Sequence, residues 1–463
     1  MGYNRATPMQ HEISRSPLAG DAVAGVTDPA LAAAVADHWE YLMRWAPTFA
    51  TTLGDHRYDD RLAPRDAAAF AAAAAERAAL LARLAAIDPG ALHATDRVTH
   101  ALLAGRLSAE HDFDACKFHE WSVDSGGSSL LGELSYITES HTVREASDAA
   151  NLVARLRQAE SLIDATVENL ARGLAAGRVA SAEKVRRAID QIDAELAKPI
   201  EGWAMASPAW ASIDPDHRPD PWPAGERARI LGELREVVAT QVLPALARQR
   251  DFLRDHVMPR ARIEREGLAG LPDGETSYRV AILYHVGLAL PPDELHAIGR
   301  EEIARTDREL AALGQRVLGT ANLAATFDRL RSDRALYFAS GAELLAAAQN
   351  ALDRAKAAMP RFFSVLPRTD CVMREIPAYE APYTTIAYYR QPHYDGSKPG
   401  EYFVNTYKPE TRPRFELEAL TWHESIPGHH LQIAIAQELG ALPAFRKLDG
   451  STAYIEGWAL YTE

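Results

Sequence analysis

Thr421–Leu431 reads T-W-H-E-S-I-P-G-H-H-L and gathers three histidines and a glutamate into eight residues: His423, Glu424, His429 and His430. Helix-borne zinc sites commonly take the form H-E-x-x-H, because residues four apart share a helix face and can aim two imidazoles at one metal. Here the fourth residue after His423 is Pro427, which lacks an amide hydrogen and whose ring clashes with the carbonyl four residues back. The helix is therefore expected to deform. A kink or wide turn at Pro427-Gly428 would loop out two extra residues and bring His429 to the place of the second ligand. In an undistorted helix His430 shares the face of His423 but lies about 10.5 Å further along the axis, which favours His429 over it.

A further carboxylate, Glu456, stands in the helical segment Y-I-E-G-W-A-L-Y, 27 residues beyond His429. Read together, His423, His429 and Glu456 are three ligands for Zn2+ with a fourth position left for water. Glu424, adjacent to a ligand but facing another direction, is placed to act as general base. The competing reading is a buried polar network without a metal. A Pro-Gly pair inside a helix crowded with ionisable groups is costly for stability alone, and this favours the metal.

The rest of the chain fits a soluble enzyme. Its 463 residues exceed one ordinary domain and can bury a large core without disulfides. Three parts are expected: a flexible N-terminus over 1–27, an N-terminal helical lobe over 28–258, and a catalytic metal-binding lobe over 259–463. The net charge of −14 argues against nucleic acid or an anionic membrane as the main partner. Only Cys116 and Cys371 occur, far apart, so metal ligands must come from histidine and carboxylate. Neither a secretory signal nor a membrane-spanning run is evident, and a cytoplasmic location is expected by default. Oligomeric state is left open.

Helical periodicity predicts helices from Asp28 to Trp45, Asp66 to Ile87, Asp96 to Cys116, Arg144 to Ala176, Ser181 to Lys198 and Gly225 to His256, the last kinked at Pro244. Between the first two, His56, Asp59 and Asp60 tie a loop rather than hold a metal. Pro199 to Pro223, rich in proline and tryptophan, reads as a long loop. Strand signals are confined to about residues 371 to 410, at Val372–Ile376, Thr384–Arg390 and Tyr402–Tyr407. These form a small sheet beside a metal-site helix that starts near Pro413 and carries Phe415, Leu417, Leu420 and Trp422 inward. An extended peptide is the natural substrate for such a sheet, and Tyr388, Tyr389, Arg390 and Asn405 are candidates to bind it, with His430 directed aside towards substrate or an outer hydrogen bond.

The blocks H-E-S-I-P-G-H-H and Y-I-E-G-W-A-L-Y, with A-Y-Y-R, D-G-S-K-P-G and Y-F-V-N-T before them and W-A-P-T-F-A-T-T-L-G-D-H-R-Y-D-D-R-L near the start, resemble the bacterial family called domain of unknown function 885. The resemblance spans nearly the whole chain. It implies a mainly α, helical clamshell with a deep cleft, akin to zinc carboxypeptidases and angiotensin-converting-enzyme-like peptidases, and a small β-sheet beside the metal-site helix. Family members usually continue with further helices after the Glu456 helix, so the chain ending at Glu463 reads as truncated. The function expected is a zinc metallopeptidase acting on short peptides. A zinc amidase on a non-peptide amide, or a non-catalytic helical peptide-binding protein with a vestigial metal site, are the alternatives.

Overall fold

Each of several helices starts where the sequence supplies a side-chain acceptor for the unpaired amides of a first turn. Asp28, Asp66, Asn322 and Ser340 cap the helices Pro29–Trp45, Ala67–Ala85, Leu323–Ser332 and Gly341–Ala358. The computed structural model describes residues 18–210, 222–265, 267–396, 398–448 and 450–463. Most of the expected flexible N-terminus (1–17) and the middle of the Pro199–Pro223 loop (211–221) lie outside them. Within these residues the chain is mainly α, and no helix is long and apolar enough to cross a membrane.

Two helical expectations change in detail. The run from Arg144 to Ala176 divides into Ala146–Leu156 and Ala159–Ala175. Gln158 sits at the break, and its side chain bonds the carbonyl of Asp60 and the amide of Leu62 on the preceding loop. The stretch expected as one helix over Gly225 to His256 is not α throughout: a π turn at Val238–Val242 immediately precedes the helix Leu243–Phe252, with Pro244 in its first turn, and a second π turn follows at Leu253–Val257.

The largest apolar core among the described residues runs from Leu62 to Val257 and includes the buried Trp203, Leu134 and Ile163. The helix Pro29–Trp45 belongs to two neighbouring clusters, which also take in Ala444 and Phe445 from near the end of the chain. The helix Pro29–Trp45 therefore packs against the segment that follows the two helices of the H-E-S-I-P-G-H-H stretch. Between the first two long helices, the loop of His56 and Asp59 is tied down as its sequence predicts. Asp59, 2% exposed, accepts from the Thr51 hydroxyl at 2.6 Å, pairs with His56 Nδ1 at 2.8 Å and faces the guanidinium of the fully buried Arg155 at 3.4 Å.

Burial gives this framework a pH dependence. His38 and His141, 3% and 1% exposed, are pushed down to about 4, first by loss of solvation. A histidine depressed on folding binds fewer protons folded than unfolded between its two pKa values, so stability is full above the unfolded value of about 6.5 and is lost as pH falls towards 4. Lowering the pH from 7 to 5 should remove roughly 2 kcal/mol for each of the two. Urea midpoints at the two pH values measure this; an unchanged midpoint would show that neither imidazole is held neutral.

A three-stranded sheet lies beside the H-E-S-I-P-G-H-H region. Strands β3 (Cys371–Glu375), β4 (Ala387–Arg390) and β5 (Gly400–Val404) lie in the order β3-β5-β4, the first pair parallel and the second antiparallel. Cys371 faces Gly400, and Tyr389 faces Tyr402. The expectation of strands only between about 371 and 410 is too narrow. The two-residue strands β1 (Thr142–Val143) and β2 (Ala209–Trp210) also pair in parallel, and a ladder that short carries no alternation to read.

Candidate functional site

The H-E-S-I-P-G-H-H stretch forms two helices. The first, Leu417–Glu424, begins four residues later than expected from Pro413 and leaves Phe415 outside it and 46% exposed, because Pro413 is engaged in an isolated bridge with Tyr337. The second, His429–Glu438, starts immediately after Gly428. Between them the chain turns through Ser425–Gly428, with the Ile426-Pro427 bond in the cis form. The amide of Gly428 reaches back to the carbonyl of Trp422 at 2.9 Å, and that of His430 to the carbonyl of Ser425 at 2.9 Å. The expected deformation at the proline is thus a full break.

Gly428 makes that break possible by close approach. A Cβ there would stand 2.0 Å from the carbonyl oxygen of His423 and 2.3 Å from that of Trp422, both backbone atoms. Gly428→Ala should therefore destabilise the protein by about 2 kcal/mol or more and displace His429. Thermal unfolding checks this, and a fully stable variant would show that the turn has slack.

The break swings His429 beside His423, their rings 4.7 Å apart and nearly perpendicular. Glu456 joins them from the helix Thr452–Thr462. Its Oε2 lies 3.5 Å from His423 Nε2 and 3.9 Å from His429 Nε2, and one ligand atom from each of the three residues falls within 4.8 Å of the others. The helix that carries Glu456 is fixed to the break itself, because Trp458 Nε1 donates to the Pro427 carbonyl at 2.9 Å. Gln432 adds a bond from the second helix to the Tyr454 carbonyl at 3.2 Å.

Glu424, the last residue of the first helix, faces the same space, its Oε2 3.9 Å from His429 Nε2. Burial pushes its carboxyl up to about 7, His423 draws it down, and the charges of Glu456 and Glu463 raise it. The group is thus balanced between accepting and releasing a proton near neutrality.

Glu463 is a further contact of the cluster, absent from the residues the sequence singles out. Its Oε1 takes a hydrogen bond from His423 Nδ1 at 2.8 Å. With Nδ1 carrying the proton, Nε2 presents its lone pair towards Glu456 and His429. The signal was available: Glu456 and Glu463 are two helical turns apart and share a face.

The remaining candidates are placed as follows. His430 is fully buried and both its nitrogens are engaged, Nε2 with the Thr369 carbonyl at 2.9 Å and Nδ1 with the Tyr389 hydroxyl at 3.0 Å. It anchors the second helix to the sheet and does not turn towards substrate. Gly400 permits this, since a Cβ there would lie 2.4 Å from His430 Nδ1 and 2.8 Å from the Tyr389 hydroxyl. Tyr389 also stacks on His429 at 6.1 Å, so it braces the site. Asn405 is fully buried; its amide donates to the carbonyls of Ala381 and Thr385 at 2.8 Å and accepts from the Tyr407 amide. It holds a loop in place and has no group left for a substrate. Tyr388 and Arg390 leave the other face of β4: Arg390 pairs with Glu139 at 2.6 Å, and both residues line a cavity of about 600 Å³ that Tyr389 also borders.

Fold and site together define a mainly helical protein with a His-His-Glu cluster built at a broken helix and a partly buried glutamate beside it. Residues 47–463 match the family described as bacterial protein of unknown function (DUF885), and the chain belongs to that family. Among solved structures, a putative lipoprotein from Colwellia psychrerythraea shares the fold with a TM-score of 0.81 at 21% identity, over 94% of this chain and 77% of that one. A putative lipoprotein of unknown function from Shewanella oneidensis is similar with a TM-score of 0.61 at 17% identity, over the same shares of the two chains. No curated protein matches the chain.

Proposed function

We propose that the protein is a zinc-dependent hydrolase of short peptides. The observation that carries this reading is the convergence of His423, His429 and Glu456 within 4.8 Å, with Glu424 beside them. Two imidazoles and a carboxylate are a donor set of catalytic zinc sites. The separations of 3.5 and 3.9 Å are close to the roughly 3.3 Å edge of a tetrahedron with bonds of about 2.0–2.2 Å, so the residues fit the ion. Glu456 is 53% exposed on its side chain, which leaves the cluster open on one side.

Zinc held there would supply Lewis acidity to a water molecule and to the scissile carbonyl. The chain's own groups do the rest. Glu424 takes the proton of the attacking water and delivers it to the leaving amine, which balances the hydrolysis of an amide to acid and amine. Glu463 holds His423 in the tautomer that offers Nε2. Strand β4 is one edge of its sheet, and an edge strand suits antiparallel pairing with an extended peptide.

Metal analysis of the purified protein, followed by a screen of short peptides and non-peptide amides with and without chelator, tests the reading. Bound zinc and chelator-sensitive peptide cleavage are the expected result. Cleavage of non-peptide amides alone would move the assignment to an amidase, and zinc without any hydrolysis would favour a peptide-binding role.

A further inference from the structure

The largest apolar core encloses a cavity whose wall carries two carboxamides without partners. Residues of the helices Leu130–Ser140, Ala159–Ala175, Ala182–Leu196 and Leu243–Phe252 line it, and its volume is about 280 Å³. Leu131, Leu170, Ile192 and Leu253, each 5% exposed or less, form its apolar side. Protein interiors pack with few voids larger than a water molecule, and an apolar cavity of about half this size takes up a benzene ring. The space is that of a small organic ligand.

Gln191, 1% exposed, accepts from the Gly126 amide at 3.1 Å through Oε1, while its Nε2 has no hydrogen-bond partner among the described residues. Gln249, 8% exposed, lines the same cavity, and its side chain makes no hydrogen bond among the described residues either. Buried polar groups without partners are rare in native proteins, because each has given up its bonds to water. Two of them on one wall call for a ligand that both accepts and donates hydrogen bonds. The ionised side chains of the wall are already matched, Arg65 by Glu133 and Asp124 by Lys184. Burial draws the His119 imidazole towards its neutral form. A charged ligand would therefore lie buried without a counter-ion, which is costly. Phe70 and His119, their rings stacked at 4.1 Å, border both this cavity and a surface groove of about 460 Å³, and so mark the way in.

We propose that this cavity binds a small neutral carboxamide, with its polar head on Gln191 and Gln249 and its apolar body against Leu131, Leu170, Ile192 and Leu253. None of the residues of the His-His-Glu cluster lines it, so the site is a second one and does not rest on the peptidase reading.

The test is titration of the full chain, stripped of metal by chelator, with benzamide, toluene and benzoate, followed by saturation-transfer NMR. Benzamide should bind about tenfold more tightly than toluene, the share of its hydrogen bonds, and benzoate should not bind measurably because its charge finds no partner. Gln249→Leu should remove most of the preference for benzamide and leave the affinity for toluene within about twofold. Ala188→Phe, which puts a ring into the cavity from its own wall, should abolish binding of both neutral probes. A wild-type protein that binds none of the three holds only water there, and the proposal falls. It falls equally if benzoate binds as tightly as benzamide, if the preference for benzamide is unchanged in Gln249→Leu, or if binding survives Ala188→Phe. The ranking of the probes by the wild type needs no variant, and Gln249→Leu exchanges a carboxamide for an apolar group of similar size, so these two measurements decide the matter even where Ala188→Phe does not fold.

Discussion

Glu424→Gln is expected to bind zinc like the wild type and to lose roughly 10²–10⁴-fold in turnover. The geometry separates the two properties. Glu424 lies 3.9 Å from His429 Nε2 but is outside the His423, His429 and Glu456 cluster. Glutamine has nearly the same shape and keeps the packing, yet it accepts no proton from water at neutral pH. The loss should appear in kcat, with KM little changed, because proton transfer occurs only on the way to the transition state. Steady-state kinetics beside zinc content make the measurement. A variant as active as the wild type would remove Glu424 from the reaction, and one that loses its zinc would move it into the coordination sphere.

What the sequence made legible follows from local chemistry. Amphipathic spacing and side-chain caps located most helices, as at Asp28 and Asp66, because both are decided within a few residues. The break at Pro427 was legible for the same reason, since proline acts on the carbonyl four residues back. The roles of Tyr389, Asn405 and His430 were not. Each is set by a partner distant in sequence: His430 by Thr369 and Tyr389, and Asn405 by the loop carbonyls of Ala381 and Thr385. A polar residue beside a candidate site reads as a substrate contact until its hydrogen bonds are accounted for, and here they close within the protein. The split at Gln158 is not legible in the sequence because its cause, a side chain that secures a loop 96 residues earlier, leaves the apolar stripe of both helices intact.

The same division between contacts that face the cluster and contacts that face the scaffold predicts how zinc affinity responds to substitution. His423→Ala, His429→Ala and Glu456→Ala each remove one of the three converging donors, and each should lose zinc through gel filtration in chelator-treated buffer. Glu463→Gln leaves the donors in place and weakens only the charge-assisted bond to His423 Nδ1. It should therefore cost the roughly 10–100-fold in zinc affinity typical of an outer partner, measured by competition with a chromophoric chelator. His430→Ala supplies the contrast. It leaves the Thr369 carbonyl and the Tyr389 hydroxyl without their partner, so stability should drop by about 1–3 kcal/mol, while zinc content stays near wild type because neither nitrogen of His430 faces the cluster. If His430→Ala loses zinc and His429→Ala keeps it, the second ligand is His430 and the swing at Pro427 has been assigned to the wrong imidazole. If none of the four alanine variants changes zinc content, the cluster is a buried polar network and the metal reading falls.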